Sequence, residues 1–364
     1  MKETVFIPSF GNRPQNLVGR ETILNQVQNS LTSATGSKER SIILLGQRGY
    51  GKTVLLLEIA ELAKANNYVV ASPSVVTSEL LNRIIEKVQE DSKRVLKVND
   101  KHVSGGSLGF LGFSAGIQFN EDSSSKSFGY KITQIARALT KEEKGLLILI
   151  DEIQANSNEV KELVVAYQEM IGEGLNVALI MAGLPSAVSS VLNDKVLTFL
   201  NRSTKIEVGP IKINYILAYY KKTFEKLNIS ISCDLLLKAA ESTHGSPYML
   251  QLLGHNIVLF AQEKGKLSDL DFSNVLTIAE KEFRQDICQP TIAPLSAKDM
   301  DFLKAMSQDS EISNTADIAT RMNAKADYVQ IYKRRLIDAG IIDSPMRGKV
   351  RCVIPYLLEY VKGF

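Results

Sequence analysis

Gly46-Gln47-Arg48-Gly49-Tyr50-Gly51-Lys52-Thr53 follows the apolar run Ile42-Ile43-Leu44-Leu45 and precedes a helical pattern. Glycines at these places let the backbone curl until successive N–H groups face inward. The helix that follows points its positive N-terminal end at the same spot, so the segment reads as a phosphate-binding loop. Lys52 would reach the β- and γ-phosphates of a nucleotide, and Thr53 would offer its hydroxyl to Mg²⁺. The nucleotide-binding stretch is therefore Gly46, Gln47, Arg48, Gly49, Tyr50, Gly51, Lys52, Thr53 and Val54. With average residue usage the bare pattern arises by chance in roughly one chain in a hundred of this length. A strand before it and a helix after it make it more specific still.

Working outward from the loop, 364 residues are too many for one ordinary core, so two or three domains are expected. A hydrophobic content of 45% with 23% charged residues is the profile of a soluble globular protein. A net charge of +3 is too small to imply a partner, so any basic surface must be local. Cys233, Cys288 and Cys352 lie far apart without a CxxC pair, against both a zinc ribbon and a disulfide scaffold. A reducing cytoplasm is expected. No run is long and apolar enough to span a membrane, and the first ten residues lack the apolar core of a signal peptide.

From residue 42 to about 208, β-rich runs alternate with helical patterns, the signature of a parallel sheet covered by helices. Strands are expected at 42–45, 68–71, 146–150, 177–182 and 204–208, and helices at 53–65, 78–90, 130–140 and 158–171. One Gly- and Ser-rich segment, 104–129, breaks the alternation and reads as an inserted hairpin or loop. After Gly209-Pro210 the pattern is helical only, at 212–227, 232–242, 247–262 and 269–286. Gln289-Pro290-Thr291-Ile292-Ala293-Pro294-Leu295-Ser296 then reads as a linker. Beyond it, three short helices at 297–307, 315–322 and 326–339 precede a hairpin, 341–343 and 349–354, in the order of a winged helix-turn-helix.

A second chemical signal lies about a hundred residues past the loop, where the apolar run Leu146–Ile150 ends in Asp151-Glu152. Hydrolysis of a magnesium nucleotide needs such a pair. Asp151 would orient Mg²⁺, and Glu152 would polarise the attacking water. Alone, the two acids could equally cap the next helix. Nucleoside kinases also use this loop, but they usually lack the pair and carry an arginine-rich lid, which the helical region here does not show.

Taken together the chain resembles the AAA+ ATPases, and most closely the branch that holds origin-recognition-like initiators and STAND switch ATPases. The resemblance rests on the loop 46–53, Asp151-Glu152, the helical region, the C-terminal winged helix and Leu17-Val18-Gly19-Arg20-Glu21 upstream. It implies an AAA+ domain over 1–208, a helical lid over 209–290 and a winged helix over 291–364. It also implies ATP or ADP with Mg²⁺ as ligands, and a nucleotide-dependent homo-oligomer. Val18, Gly19 and Arg20 would lie against the adenine. Gly245-Ser246-Pro247 stands where many members have a sensor arginine, and in the STAND form Pro247 packs near the base. Arg202 sits where an arginine finger is carried, a surface arginine being the alternative. The fourth strand ends without the usual polar sensor, leaving only Ser186 nearby, and His244 could be a phosphate ligand or a structural residue.

The third helix of the winged region would keep Val329, Tyr332 and Leu336 in the core and turn Tyr328, Gln330, Lys333 and Arg334 to a major groove. Residues 325–351 hold seven basic side chains, Lys325, Lys333, Arg334, Arg335, Arg347, Lys349 and Arg351, against three acids, Asp327, Asp338 and Asp343. That surplus suits double-stranded DNA, though winged helices also bind proteins. Two functions stay open: a DNA-binding ATPase, or a slow nucleotide switch whose winged helix contacts a protein or its own core. A degenerate loop without chemistry fits poorly, because Lys52, Thr53, Asp151 and Glu152 are all present.

Overall fold

A computed structural model describes residues 5–8, 17–75, 79–97, 127–153, 157–194, 197–261 and 265–363. The expected insert is therefore described only at its end, since 104–126 lie outside these residues. The chain divides into two compact units. One comprises Thr22–Gly46 and Lys52–Glu207; the other comprises Met1–Glu21, Gln47–Gly51 and Val208–Phe364.

The first unit is a parallel sheet of β1 (Ser41–Leu45), β2 (Tyr68–Val75), β3 (Gly145–Asp151), β4 (Val177–Gly183) and β5 (Thr204–Glu207), in the order β2-β3-β4-β1-β5. β3 and β4 are buried along their whole length, which is why they read as continuous apolar runs instead of alternating ones. Its helices are α1 (Glu21–Leu31), α2 (Lys52–Ala65), α3 (Leu80–Lys97), α4 (Phe128–Lys141), α5 (Asn158–Gly172) and α6 (Pro185–Leu192). α2 buries Leu55, Leu56, Ile59, Ala60 and Ala63 on one face. Ser127 and Ser157 cap α4 and α5 by accepting from Tyr130 N and Val160 N. Inside the core Tyr167 donates to the carbonyl of Arg40 and packs edge-on against Phe199. The strands and the four expected helices stand, with most ends moved by a few residues and α3 running on to Lys97 in place of 90. α1 and α6 are additions: α1 spaces Ile23, Val27 and Leu31 at helical intervals among Asn and Gln, and α6 is only two turns long.

In the second unit α7 (Ile213–Lys226), α8 (Cys233–Glu241), α9 (Pro247–Ala261) and α10 (Asp269–Phe283) form the helical lid. α9 is apolar almost all round and lies at its centre. Phe6 is 1% exposed and nests among Tyr219, Tyr220 and Phe224 of α7, while Ile7 N donates to Gln251 Oε1. The expectation that everything up to 208 belongs with the sheet is thus corrected, because these N-terminal residues bury themselves in the lid.

The linker expected at 289–296 is also corrected in its first half. α10 runs on through a wide π-turn, Arg284–Cys288, into α11 (Gln289–Ile292), with Pro290 inside the helical run. Proline lacks an N–H and its ring strikes the carbonyl four residues back; a π-turn at that point widens the spiral and removes the clash. The C-terminal part follows with α12 (Ala297–Met306), β6 (Ile312–Asn314), α13 (Thr315–Arg321), α14 (Ala326–Asp338), β7 (Ile342–Asp343), β8 (Lys349–Cys352) and α15 (Leu357–Lys362). β6, β8 and β7 form an antiparallel sheet in that order, completing a winged helix. One apolar core runs from Tyr220 and Leu253 in the lid to Phe302, Leu336 and Val350 in the winged helix. A boundary at 290 therefore falls within continuous structure.

Candidate functional site

The parallel sheet sets the geometry of the first unit. β4 separates β1 from β3, pairing Leu45 with Gly183 on one side and Ile150 with Met181 on the other. The phosphate loop and Asp151-Glu152 consequently leave the same C-terminal edge of the sheet, where open α/β folds bind ligands. Gly46 N donates to Gly183 O at 3.3 Å, so the sheet ladder holds the start of the loop. Lys52 opens α2, and its Nζ donates to Gly46 O at 2.8 Å, folding the lysine along its own loop. Thr53 Oγ1 donates to Asp151 Oδ2 at 2.5 Å.

Asp151 is 4% exposed, and its other oxygen accepts from Glu152 N at 2.9 Å. Glu152 has φ +52°, left-handed for a residue with a β-carbon, and its side chain is exposed. Ile153 N returns to the ladder by donating to Ala182 O at 2.9 Å. Glu152 is thus looped out of the strand edge at a cost of about 1–3 kcal/mol, the kind of strain found at working sites. The Thr53 hydroxyl beside a buried Asp151 carboxylate is a hard oxygen donor pair, which is what Mg²⁺ takes from protein next to phosphate oxygens and water. The residues present fit a magnesium nucleotide. Among the described residues no cluster of three or more His, Cys, Asp or Glu could hold a metal by itself.

Ser186 is half-buried in the first turn of α6, directly after β4. Arg202 ends a short 3-10 turn, Thr198–Arg202, before β5; it is exposed, and its side chain makes no hydrogen bond or ion pair with any described residue.

The second unit contains the other expected residues. Gly49 and Gly51 both have φ +79°, the left-handed turns that let the loop curl. A β-carbon on Gly51 would stand 3.6 Å from Pro247 Cγ, so the proline at the start of α9 lies against the loop. Arg48 and Gly49 are exposed. Val18 packs on the lid core, and Gly19, at φ +67°, approaches Ile211 and Tyr215 so closely that a β-carbon would come within 3.1 Å of Ile211 Cγ2. Arg20, expected against a base, is held by two backbone carbonyls. It is 6% exposed, and one nitrogen donates to Gly209 O at 2.6 Å and Tyr50 O at 3.1 Å. Burial pulls the guanidinium below its ordinary pKa, with Glu21 opposing that shift. The guanidinium thereby ties the loop carbonyl of Tyr50 to the start of the lid.

His244 is exposed at φ +48° and meets the ring of Tyr356 edge-on at 5.0 Å, which favours the structural reading. Tyr50 Oη donates to the carbonyl of Val353 at 3.4 Å. Neither contact is legible in the sequence, since nothing in Val353-Ile354-Pro355-Tyr356 marks it as a partner of the phosphate loop.

On the winged helix, Val329 and Leu336 are fully buried and Tyr332 half-buried, as expected. Tyr332 donates to Tyr328 Oη at 3.0 Å. Three of the seven basic residues are ion-paired within the chain: Arg335 lies 2.8 Å from the buried Asp299, Arg351 2.6 Å from Asp343, and the exposed Arg334 3.9 Å from Asp338 one turn along its helix. Lys325, Arg334 and Arg347 are exposed, Lys333 and Lys349 half-buried. Among the described residues no helix is long and apolar enough to cross a membrane.

The sheet order, the phosphate loop and the Thr53–Asp151–Glu152 arrangement are those of a P-loop nucleotide-binding fold. Sequence comparison agrees: residues 16–180 match the AAA ATPase domain family, and residues 285–361 match a domain of unknown function. Among solved structures, a Walker-type ATPase of Pyrococcus abyssi is similar with a TM-score of 0.67, covering 96% of this chain and 97% of its own at 15% identity. The ORC2 protein of Aeropyrum pernix, solved in ADPNP–ADP complexes, has a TM-score of 0.61, covering 98% and 96% at 14% identity. No curated protein sequence matches. Residues 16–180 are matched by the AAA ATPase domain family, and the chain as a whole, with its helical lid and C-terminal winged helix, is folded like these two proteins.

Proposed function

We propose that the protein binds MgATP at residues 46–54, hydrolyses it slowly, and couples nucleotide occupancy to conformational change and to double-stranded DNA at the winged helix. The observation that carries this reading is the Thr53–Asp151 hydrogen bond of 2.5 Å with the exposed Glu152 one residue on. ADPNP and ADP in the Aeropyrum pernix relative support ATP and ADP as the ligands. Bound MgATP supplies the phosphoryl group and the cation that offsets its charge. Lys52 would turn from Gly46 O to the phosphate oxygens, and Thr53 and Asp151 would hold the cation. Glu152, freed from the strand by its left-handed backbone, would orient water for in-line attack and accept its proton. Arg202 would act as a finger from a neighbouring copy in a nucleotide-dependent homo-oligomer, stabilising charge on the transferred group. On the winged helix, Lys325, Lys333, Arg334, Arg347 and Lys349 would contact DNA phosphates, while Tyr328 and Gln330 reach base edges. Glu152→Gln is expected to retain MgATP and lose phosphate release; full hydrolysis by this variant would overturn the assignment.

A second reading is favoured by Pro247 lying beside Gly51 at the place of a sensor arginine, and by the continuous core of lid and winged helix. Here the nucleotide is a latch, and exchange frees the winged helix for a partner. Turnover measured with and without duplex DNA separates the two. Stimulated turnover supports the DNA-coupled ATPase, and near-zero turnover with tightly held ADP supports the switch.

A further inference from the structure

The turn Val353–Tyr356, which follows the last strand of the winged helix, is held by several elements of its own unit. Tyr50 Oη donates to Val353 O at 3.4 Å, Cys352 Sγ to Ile354 O at 3.5 Å and Cys288 Sγ to Pro355 O at 3.7 Å. Tyr356 Oη donates to Ser242 O, and the Tyr356 ring packs edge-on against His244 and Phe283. Tyr356 sits at φ +60°, so the turn is a strained one that its contacts maintain. Of these contacts only Tyr50 comes from the phosphate loop. Its carbonyl is separately gripped by Arg20, which also holds Gly209 O. A phosphate-binding loop works through backbone N–H groups and its lysine, so that task leaves the tyrosine ring unaccounted for. Burial raises the phenol's pKa, so near neutral pH the hydroxyl stays a donor.

We propose that Tyr50 is a latch between the phosphate loop and the winged helix: docked on Val353 it holds the 353–356 turn closed, and contraction of the loop around nucleotide phosphates withdraws it. The O···O separation of 3.4 Å is at the long end for a hydroxyl donor, so a movement of a few tenths of an ångström breaks it. The turn would then open more often, weakening the hold on the winged helix where it meets the lid. By reciprocity, a partner that pulls the winged helix outward would favour the nucleotide-bound loop. This inference rests on the reading that residues 46–54 bind nucleotide.

Cys352 and Cys288 are built-in reporters of the turn, since their thiols bond to its carbonyls. Thiol labelling followed residue by residue in the full chain, without nucleotide and at saturating MgATP, tests the latch. Saturating MgATP is expected to speed labelling of Cys352 by about fivefold or more, the lower range of coupling between linked sites. Tyr50→Phe is expected to label at the fast rate with or without MgATP. Tyr356→Phe, which frees Ser242 O and leaves Tyr50 in place, is expected to raise the basal rate and keep the MgATP response. Absence of MgATP binding to the wild type, read by equilibrium dialysis, would sink the nucleotide reading itself. Binding without a change at Cys352, or a full MgATP response in Tyr50→Phe, would overturn the latch alone.

Discussion

Thr53 Oγ1 donates to Asp151 Oδ2 across 2.5 Å, joining the first turn of α2 to the end of β3 although 98 residues separate them in the chain. The pair tests whether the metal side of the site is as described. Thr53→Ala and Asp151→Asn are each expected to weaken MgATP binding by about ten- to a hundredfold, the loss of one charge-assisted contact, while binding without magnesium changes little. Calorimetric titration with and without magnesium measures both.

Gly51 combines a left-handed backbone with a neighbour, Pro247, 3.6 Å from its missing β-carbon. Gly51→Ala is expected to destabilise by about 1–2 kcal/mol from the backbone alone and to weaken nucleotide binding further by reshaping the loop. Pro247→Ala leaves the glycine free and is expected to cost less than half as much in thermal unfolding.

Asp299 is 1% exposed; it accepts from Ser296 N and Ser296 Oγ and pairs with Arg335. Asp299→Ala removes the capping box of α12 and leaves Arg335 without that partner. A loss of about 1–3 kcal/mol is expected in denaturant unfolding, with no change in nucleotide affinity.

If the winged helix binds duplex DNA, its basic residues fall into two groups by what they touch. Lys333→Ala, Arg334→Ala and Arg347→Ala are each expected to lower affinity and reduce the salt slope by about one. Arg335→Ala is expected to appear as lowered thermal stability instead, because its guanidinium holds Asp299. Equal effects from all four would contradict the division.

Burial pushes the Cys288 and Cys352 thiols up to about 12, from a usual value of 9.0, whereas Cys233 is exposed. One thiol is therefore expected to react quickly with a labelling reagent at pH 8 and two slowly. A thiol pKa raised on folding means that the native state keeps protons the unfolded chain has lost. Stability is full below about pH 9 and falls as pH climbs toward 12, which alkaline unfolding curves measure.

The sheet and its chemical edge were legible because buried parallel strands leave continuous apolar runs, and the glycines and Asp151-Glu152 stand at their ends. The same logic misled at Pro290, where proline is ordinarily a break; the π-turn before it leaves no residue signature. Phe6 gave no sign of entering the lid, since a single aromatic has no periodicity. Arg20 looked like a ligand residue from its motif, but only packing shows it gripping the carbonyls of Tyr50 and Gly209. Contacts between segments three hundred residues apart, such as Tyr50 with Val353, belong to tertiary structure and have no local pattern to read.

The helix that carries Pro290 from the lid into the winged helix has a consequence for how the molecule comes apart. The C-terminal part buries Phe302, Leu336, Val350 and Leu357 in an interior that is continuous with that of the lid. A cut at 290 would bare the face of Phe283 that packs on Tyr356, and both fragments are expected to be less stable and more prone to aggregate than the intact unit. The lid and the winged helix should therefore melt as one cooperative block, and grafting another winged helix at that point would fail unless the lid face came with it.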